Sequence, residues 1–198
     1  MIDLRVDKTK MICRKQVSNA EILHRRNSNT NQTHIGLLQD SVKLEHTSIP
    51  SLLIFNNNSY DTLTIINPIK NPDGSIRSPK TRQGRTDYEL IYNGSRYEST
   101  YQKINDLVKE QDDLSKTHKN FFIIYGTLKN GRLFFILYDD DAIPNIMYNL
   151  LKSQDFTQNE LFSIRSKGYP NSELHKKYIV LCEEILLNYE NEESVNES

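Results

Sequence analysis

No run of 18 apolar residues occurs anywhere in the 198-residue chain, so no segment reads as a membrane-spanning helix. The first residues, Met-Ile-Asp-Leu-Arg-Val-Asp-Lys, lack the apolar centre of a secretory signal. Cysteine is scarce: Cys13 and Cys182 are the only two. Two distant thiols without an export signal read as free and buried in a reducing compartment, and the expected location is cytoplasmic. No Cys/His cluster has zinc spacing, no local signature frames a nucleophilic cysteine, and no internal repeat is visible. What remains is a rather polar globular composition, with 36% hydrophobic and 26% charged residues. Its length suits one domain, or one domain with a helical appendage.

The net charge of −1 conceals an asymmetry. Residues 1–85 hold 13 Lys/Arg against 7 Asp/Glu, a balance of +6, and residues 86–198 hold 12 against 19, a balance of −7. A basic half can face a polyanion while an acidic half faces away. The sharpest local feature is residues 77–85, Arg-Ser-Pro-Lys-Thr-Arg-Gln-Gly-Arg, with four cations and no acid. It runs straight into Thr86-Asp87-Tyr88-Glu89-Leu90. A basic arm shaped by Pro79 and Gly84 and leading into a strand can reach a phosphate backbone and the base edges beside it.

A second polar segment, residues 25–34, reads Arg-Arg-Asn-Ser-Asn-Thr-Asn-Gln-Thr-His. It cannot bury itself, so it is a loop, but it is rich in donors and acceptors. Arginine pairs bidentately with guanine, and Asn or Gln with adenine. Either segment alone is ordinarily a solvated loop. The pair gains meaning only if the fold brings the two together.

Apolar periodicity orders the rest. Residues 49–56 and 60–67 read as strands joined by a turn at Asn56–Ser59. Asn71-Pro72-Asp73-Gly74 is a strong turn signal, and Asn93-Gly94 predicts a hairpin between 86–92 and 95–98. Residues 101–115 take helical spacing. The runs 121–125 and 133–138 flank a Lys129-Asn130-Gly131 turn and are almost continuously apolar, which predicts strands covered on both faces. Ser18 is expected to cap a helical turn over 18–24. Further helices are expected near 143–153, 157–164 and 171–189. The last carries an apolar stripe of Leu174, Tyr178, Leu181, Cys182, Ile185 and Leu186, able to pack internally or to dimerise. The acidic tail 191–198 is expected to be disordered.

Three chemistries compete with nucleic-acid recognition. Asp87 and Glu98 on neighbouring strands suit a magnesium-dependent nuclease of the PD-(D/E)xK type. The third position is Thr100 rather than Lys, with Lys103 as a substitute. In the bland version Glu98 caps the following helix and Asp87 pairs with Arg85. Asp139-Asp140-Asp141 can mark a metal or sugar-nucleotide site, but more often is a strand-end turn. His118 and His175 are expected to be solvated. A protein-interaction module using the acidic C-terminal helices is the third class.

The order of elements then carries a resemblance. An Arg/Asn/Thr/His-rich loop ends in His34-Ile35-Gly36. A strand pair follows, then Lys80-Thr81-Arg82 and Arg85-Thr86-Asp87-Tyr88-Glu89-Leu90, then two long apolar strands. Over about residues 12–145 this resembles the N-terminal effector-binding domain of EcoRII-like type II restriction endonucleases. The resemblance implies a mainly β fold with appended helices (α+β), a seven-stranded open pseudobarrel similar to plant B3 domains. It implies two jaws in the major groove of double-stranded DNA. Arg25, Arg26, Asn29, Thr30 and His34 fall on the first jaw. Lys80, Arg82, Arg85, Asp87 and Glu89 fall on the second, with Arg77 just before it. Either Arg82 or Arg85 reads bases, and Asp87 accepts from a cytosine amino group or orients Arg85. The implied layout is a DNA-binding domain over 1–168 and a helix or linker over 169–190 toward a catalytic domain or subunit, within a restriction-modification defence system. No catalytic residue and no cofactor is implied, with magnesium entering only under the nuclease alternative.

Overall fold

The computed structural model describes residues 3–26, 34–37, 47–66, 71–75, 90–115, 118–140, 145–153 and 155–196. In chain order these form β1 (Ile12–Val17), a 3-10 turn (Leu23–Arg25), β2 (Thr47–Phe55), β3 (Asn58–Ile66), β4 (Leu90–Tyr92), β5 (Ser95–Ser99), α1 (Thr100–Ser115), β6 (Phe121–Thr127), β7 (Leu133–Asp139), α2 (Asn145–Lys152), α3 (Gln158–Phe162), β8 (Arg165–Gly168) and α4 (Glu173–Asn196).

The strands make one mixed sheet in the order β4-β5-β3-β2-β7-β6-β1-β8. The pairs β2–β7 and β3–β5 are parallel and the rest antiparallel. The sheet stays open, with β4 and β8 at its edges. The six expected strands are present as β2 to β7; the last strand, Arg165-Ser-Lys-Gly, has no apolar alternation and is held by pairing with β1 and by the Ser166–Tyr178 hydroxyl contact with α4.

Alternation along β6 and β7 divides the core. Phe121, Ile123, Tyr125, Phe135 and Leu137 point to one face, where Tyr101, Ile104 and Val108 of α1 cover them. Phe122, Ile124, Phe134, Ile136 and Tyr138 point to the other, where Tyr178, Leu181, Cys182, Ile185 and Leu186 of α4 cover them. Each fully buried side chain of this size contributes roughly 1.5–3 kcal/mol, so neither helix is an accessory. The helix expected over 171–189 is present as α4, and its apolar stripe packs internally to close the second core. The helix also continues to Asn196, into the span expected to be disordered, as its helix-favouring glutamates allow.

Local chemistry sets the joints. Asn93 and Gly94 take φ of 49° and 78°, the left-handed pair that a two-residue hairpin needs. Gly126 makes room for its neighbours: a Cβ there would lie 2.9 Å from the Phe134 ring and 3.3 Å from the Ile12 side chain, so one of them would have to shift. Both cysteines are free and buried, and burial pushes the Cys182 thiol far above its ordinary range. Among the described residues no helix is long and apolar enough to cross a membrane.

Candidate nucleic-acid interface

Two buried carboxylates pin the chain on either side of residues 27–33. Glu21, 3% exposed, accepts from the Ser18 N–H and hydroxyl at 3.0 Å, from Lys15 Nζ at 2.7 Å and from the Gly36 N–H at 2.8 Å. Lys15 Nζ also donates to Gly36 O at 3.2 Å. One side group thus ties the chain before the polar segment to the chain after it. Ile35 and Leu37, flanking Gly36, sink into the first core.

The second carboxylate is Asp112, on α1. Arg25 grips it with both arms of its guanidinium, Nε donating to Oδ2 at 2.6 Å and Nη2 to Oδ1. His24 Nε2 lies 2.6 Å from Oδ2 and His118 Nδ1 at 3.4 Å. Burial alone would raise the Asp112 carboxyl; the Arg25 and His24 hydrogen bonds outweigh it and hold the pKa below its ordinary value. Arg25 also donates to Lys119 O at 3.0 Å and lies over the Phe121 ring. Next to it, Leu23 N–H donates to Asn105 Oδ1 at 2.6 Å.

These contacts correct one expectation. The Arg25 side chain is 4% exposed with its donors engaged, so it anchors the root of the segment and presents no edge to a base. Arg26 is half-buried and donates from Nη2 to Tyr101 Oη at 2.5 Å. His34 is half-buried beside the pinned Gly36. Asn29, Thr30, Arg77, Lys80, Arg82, Arg85, Asp87 and Glu89 lie outside the described residues.

Both segments are rooted on the same face of the sheet. Tyr101 follows Thr100, whose Oγ1 is 2.7 Å from both Thr62 Oγ1 and Thr64 Oγ1 of β3. Two residues beyond Thr64 is Ile66, where the chain leaves the sheet toward the basic arm. It returns at Leu90, opposite Tyr97. Ile35, Leu37, Ile66 and Tyr101 share one core cluster. On the way out, the expected turn is present, with Gly74 N–H donating to Asn71 O at 3.0 Å.

The nuclease pair fares differently. Glu98 is 44% exposed in its side chain and faces Lys103 Nζ at 3.6 Å. Partial burial and the nearby Asp106 raise its pKa against Lys103. Ser99, not Glu98, caps α1, accepting from the Gln102 N–H at 3.4 Å. Among the described residues no three His, Cys, Asp or Glu side chains could hold a metal ion. His175, expected in solvent, is 2% exposed with Nε2 2.9 Å from Lys10 O.

Sequence reasoning missed Glu21, Asp112 and Tyr101 as site-building residues. A signal existed for one of them: Tyr101, Asn105, Val108 and Asp112 fall on one helical stripe, so the acid sits where an apolar residue is due. Compared with known proteins, the chain matches no family model, no curated protein and no solved structure.

Proposed function

We propose that the chain is a sequence-specific recognition domain for double-stranded DNA, performing no chemistry of its own. In this reading the sheet is a B3-like pseudobarrel of the EcoRII-like restriction kind, and residues 26–34 and 77–89 are its two major-groove jaws. The observation that carries the reading is that two polar, cation-bearing segments about forty residues apart in sequence border one face of the sheet, whose core takes in Ile35, Leu37 and Ile66 beside them. The anchors include buried charge pairs, which contribute little net stability but fix direction. Such fixing is what base readout requires, because a reading side chain must hold its geometry against the groove.

Docking begins with phosphates, which are long-range and indifferent to sequence. Arg82 or Arg85 then reads guanine, with Asn29 and Arg26 on the opposite jaw. Selection from a random duplex pool, followed by sequencing, is the direct test. An enriched short motif is expected. Arg82→Ala or Arg85→Ala should weaken binding to that motif by about 1–3 kcal/mol and relax the preference at one position. Equal affinity of the parent for every duplex removes the specificity claim. Cleavage of plasmid in magnesium, lost in Glu98→Ala, would instead select the nuclease.

A further inference from the structure

The strand register gives the sheet two unlike ends. Thr47 faces Ile66, Ser51 faces Leu133 and Cys13 faces Tyr125. The start of β2, the end of β3, the β6–β7 turn and the residues before β1 therefore lie at one end. It is also the end at which the chain leaves β3, at Ile66, toward the basic arm. Asp139, which faces Phe121, and Asp140 lie at the opposite end.

At the first end two turns are stitched into one platform. Lys129 N–H donates to Arg5 O at 2.9 Å and Asp7 N–H to Thr127 O at 2.8 Å. Between these bonds Val6 and Leu128, both buried, form a bridge. Asp7 then closes the next turn, accepting from the Thr9 N–H at 3.0 Å and the Thr9 hydroxyl at 2.6 Å, with its carbonyl taking the Lys10 N–H at 3.2 Å. Lys8, Lys10 and Lys129 stand exposed on this platform. Of the acids beside them, Asp3 pairs with Arg5, while Asp7 hydrogen-bonds Thr9 and keeps its charge near Lys10 and Lys129; with Arg5 the platform carries four cations against these two acids.

We infer that Lys8, Lys10 and Lys129 form a phosphate-docking platform for duplex DNA, beside the root of the basic arm. The inference rests on the DNA-recognition reading and adds a third contact to it, one that supplies affinity and register but no base information. Backbone hydrogen bonds hold both turns, so the lysines meet the duplex on a preformed surface.

The test is the triple variant Lys8→Ala, Lys10→Ala, Lys129→Ala, titrated against the selected duplex and a scrambled one between about 50 and 200 mM salt. Lys152→Ala, an exposed lysine on α2, gives the background effect of losing a surface cation. The salt slope of log affinity should fall by about 2–3. Affinity at fixed salt should drop about tenfold or more for both duplexes alike, leaving their ratio unchanged. A slope equal to the parent's overturns the platform and leaves the recognition reading standing. A changed ratio between the duplexes overturns it too, since the lysines would then read bases. A parent that retains no duplex brings down both.

Discussion

Phe121 and Phe122, neighbours on β6, point to opposite faces of the sheet, and each is roofed by a buried arginine. Arg25 lies over Phe121 at 5.6 Å and Arg14 over Phe122 at 5.7 Å. Beyond this shared geometry they differ. Arg25 meets a full countercharge in Asp112. Arg14, fully buried, meets neutral oxygens: Glu160 O at 3.0 Å, Ser163 Oγ at 2.6 Å and Ser166 Oγ at 3.2 Å. Its Nη1 has no hydrogen-bond partner among the described residues. Glu160 O and the two serine hydroxyls offer dipoles and no full charge. The scaffold face thus settles its cation with dipoles. The face that roots the polar segment settles it with an ion pair, which is directional and costly to break on one side only.

The largest effect should come from breaking that pair. Asp112→Ala leaves Arg25 buried without its countercharge and should cost about 3–5 kcal/mol in urea unfolding. A loss under about 1 kcal/mol, the size of an exposed pair, would erase the contrast between the faces. Arg14→Met should cost less, about 1–3 kcal/mol. It removes an uncompensated charge, and Glu160 O keeps the Tyr178 hydroxyl at 2.7 Å. If Arg14→Met proves the more damaging of the two, the ranking of charge over dipole is reversed.

Acid should separate the faces more gently. The folded pKa of Asp112 lies below its ordinary value of 3.8. Its contribution is therefore complete above that pH and is lost as pH falls through the lower folded value. Unfolding measured from neutral pH into this range should show a shallower acid decline in Asp112→Ala than in the parent. Arg14→Met should keep the parental decline, since the oxygens around Arg14 do not titrate there. Parallel curves for the parent and Asp112→Ala would show that the pair contributes nothing pH-dependent.

Much of the scaffold was legible because its signals are local. The near-continuous apolar runs of β6 and β7 foretold strands covered on both faces, and α1 and α4 presented helical stripes. Asn93-Gly94 marked its hairpin by backbone preference alone. What escaped lacked such periodicity. Strand β8 is held by pairing with β1, and Gly168 fits because a Cβ there would approach His175 Cα and Ile12 O at 3.1 Å. His175 reads as a polar, helix-flanking residue, yet it is buried against the backbone of Lys10. Of the candidate site, the two cation-rich segments were visible as composition, but the carboxylates that root the first one were not.

Composition, periodicity and turn chemistry by themselves determined an α+β chain with two polar, basic segments, because those signals act between residues a few positions apart. Only the tertiary structure decided that adjacent Arg25 and Arg26 take separate roles, one pairing with an acid 87 positions away and the other with a tyrosine 75 away. It also decided that both segments border one face of the sheet. The physical reason is that burial and pairing depend on which distant strands and helices meet, and no local pattern in a single chain encodes that meeting.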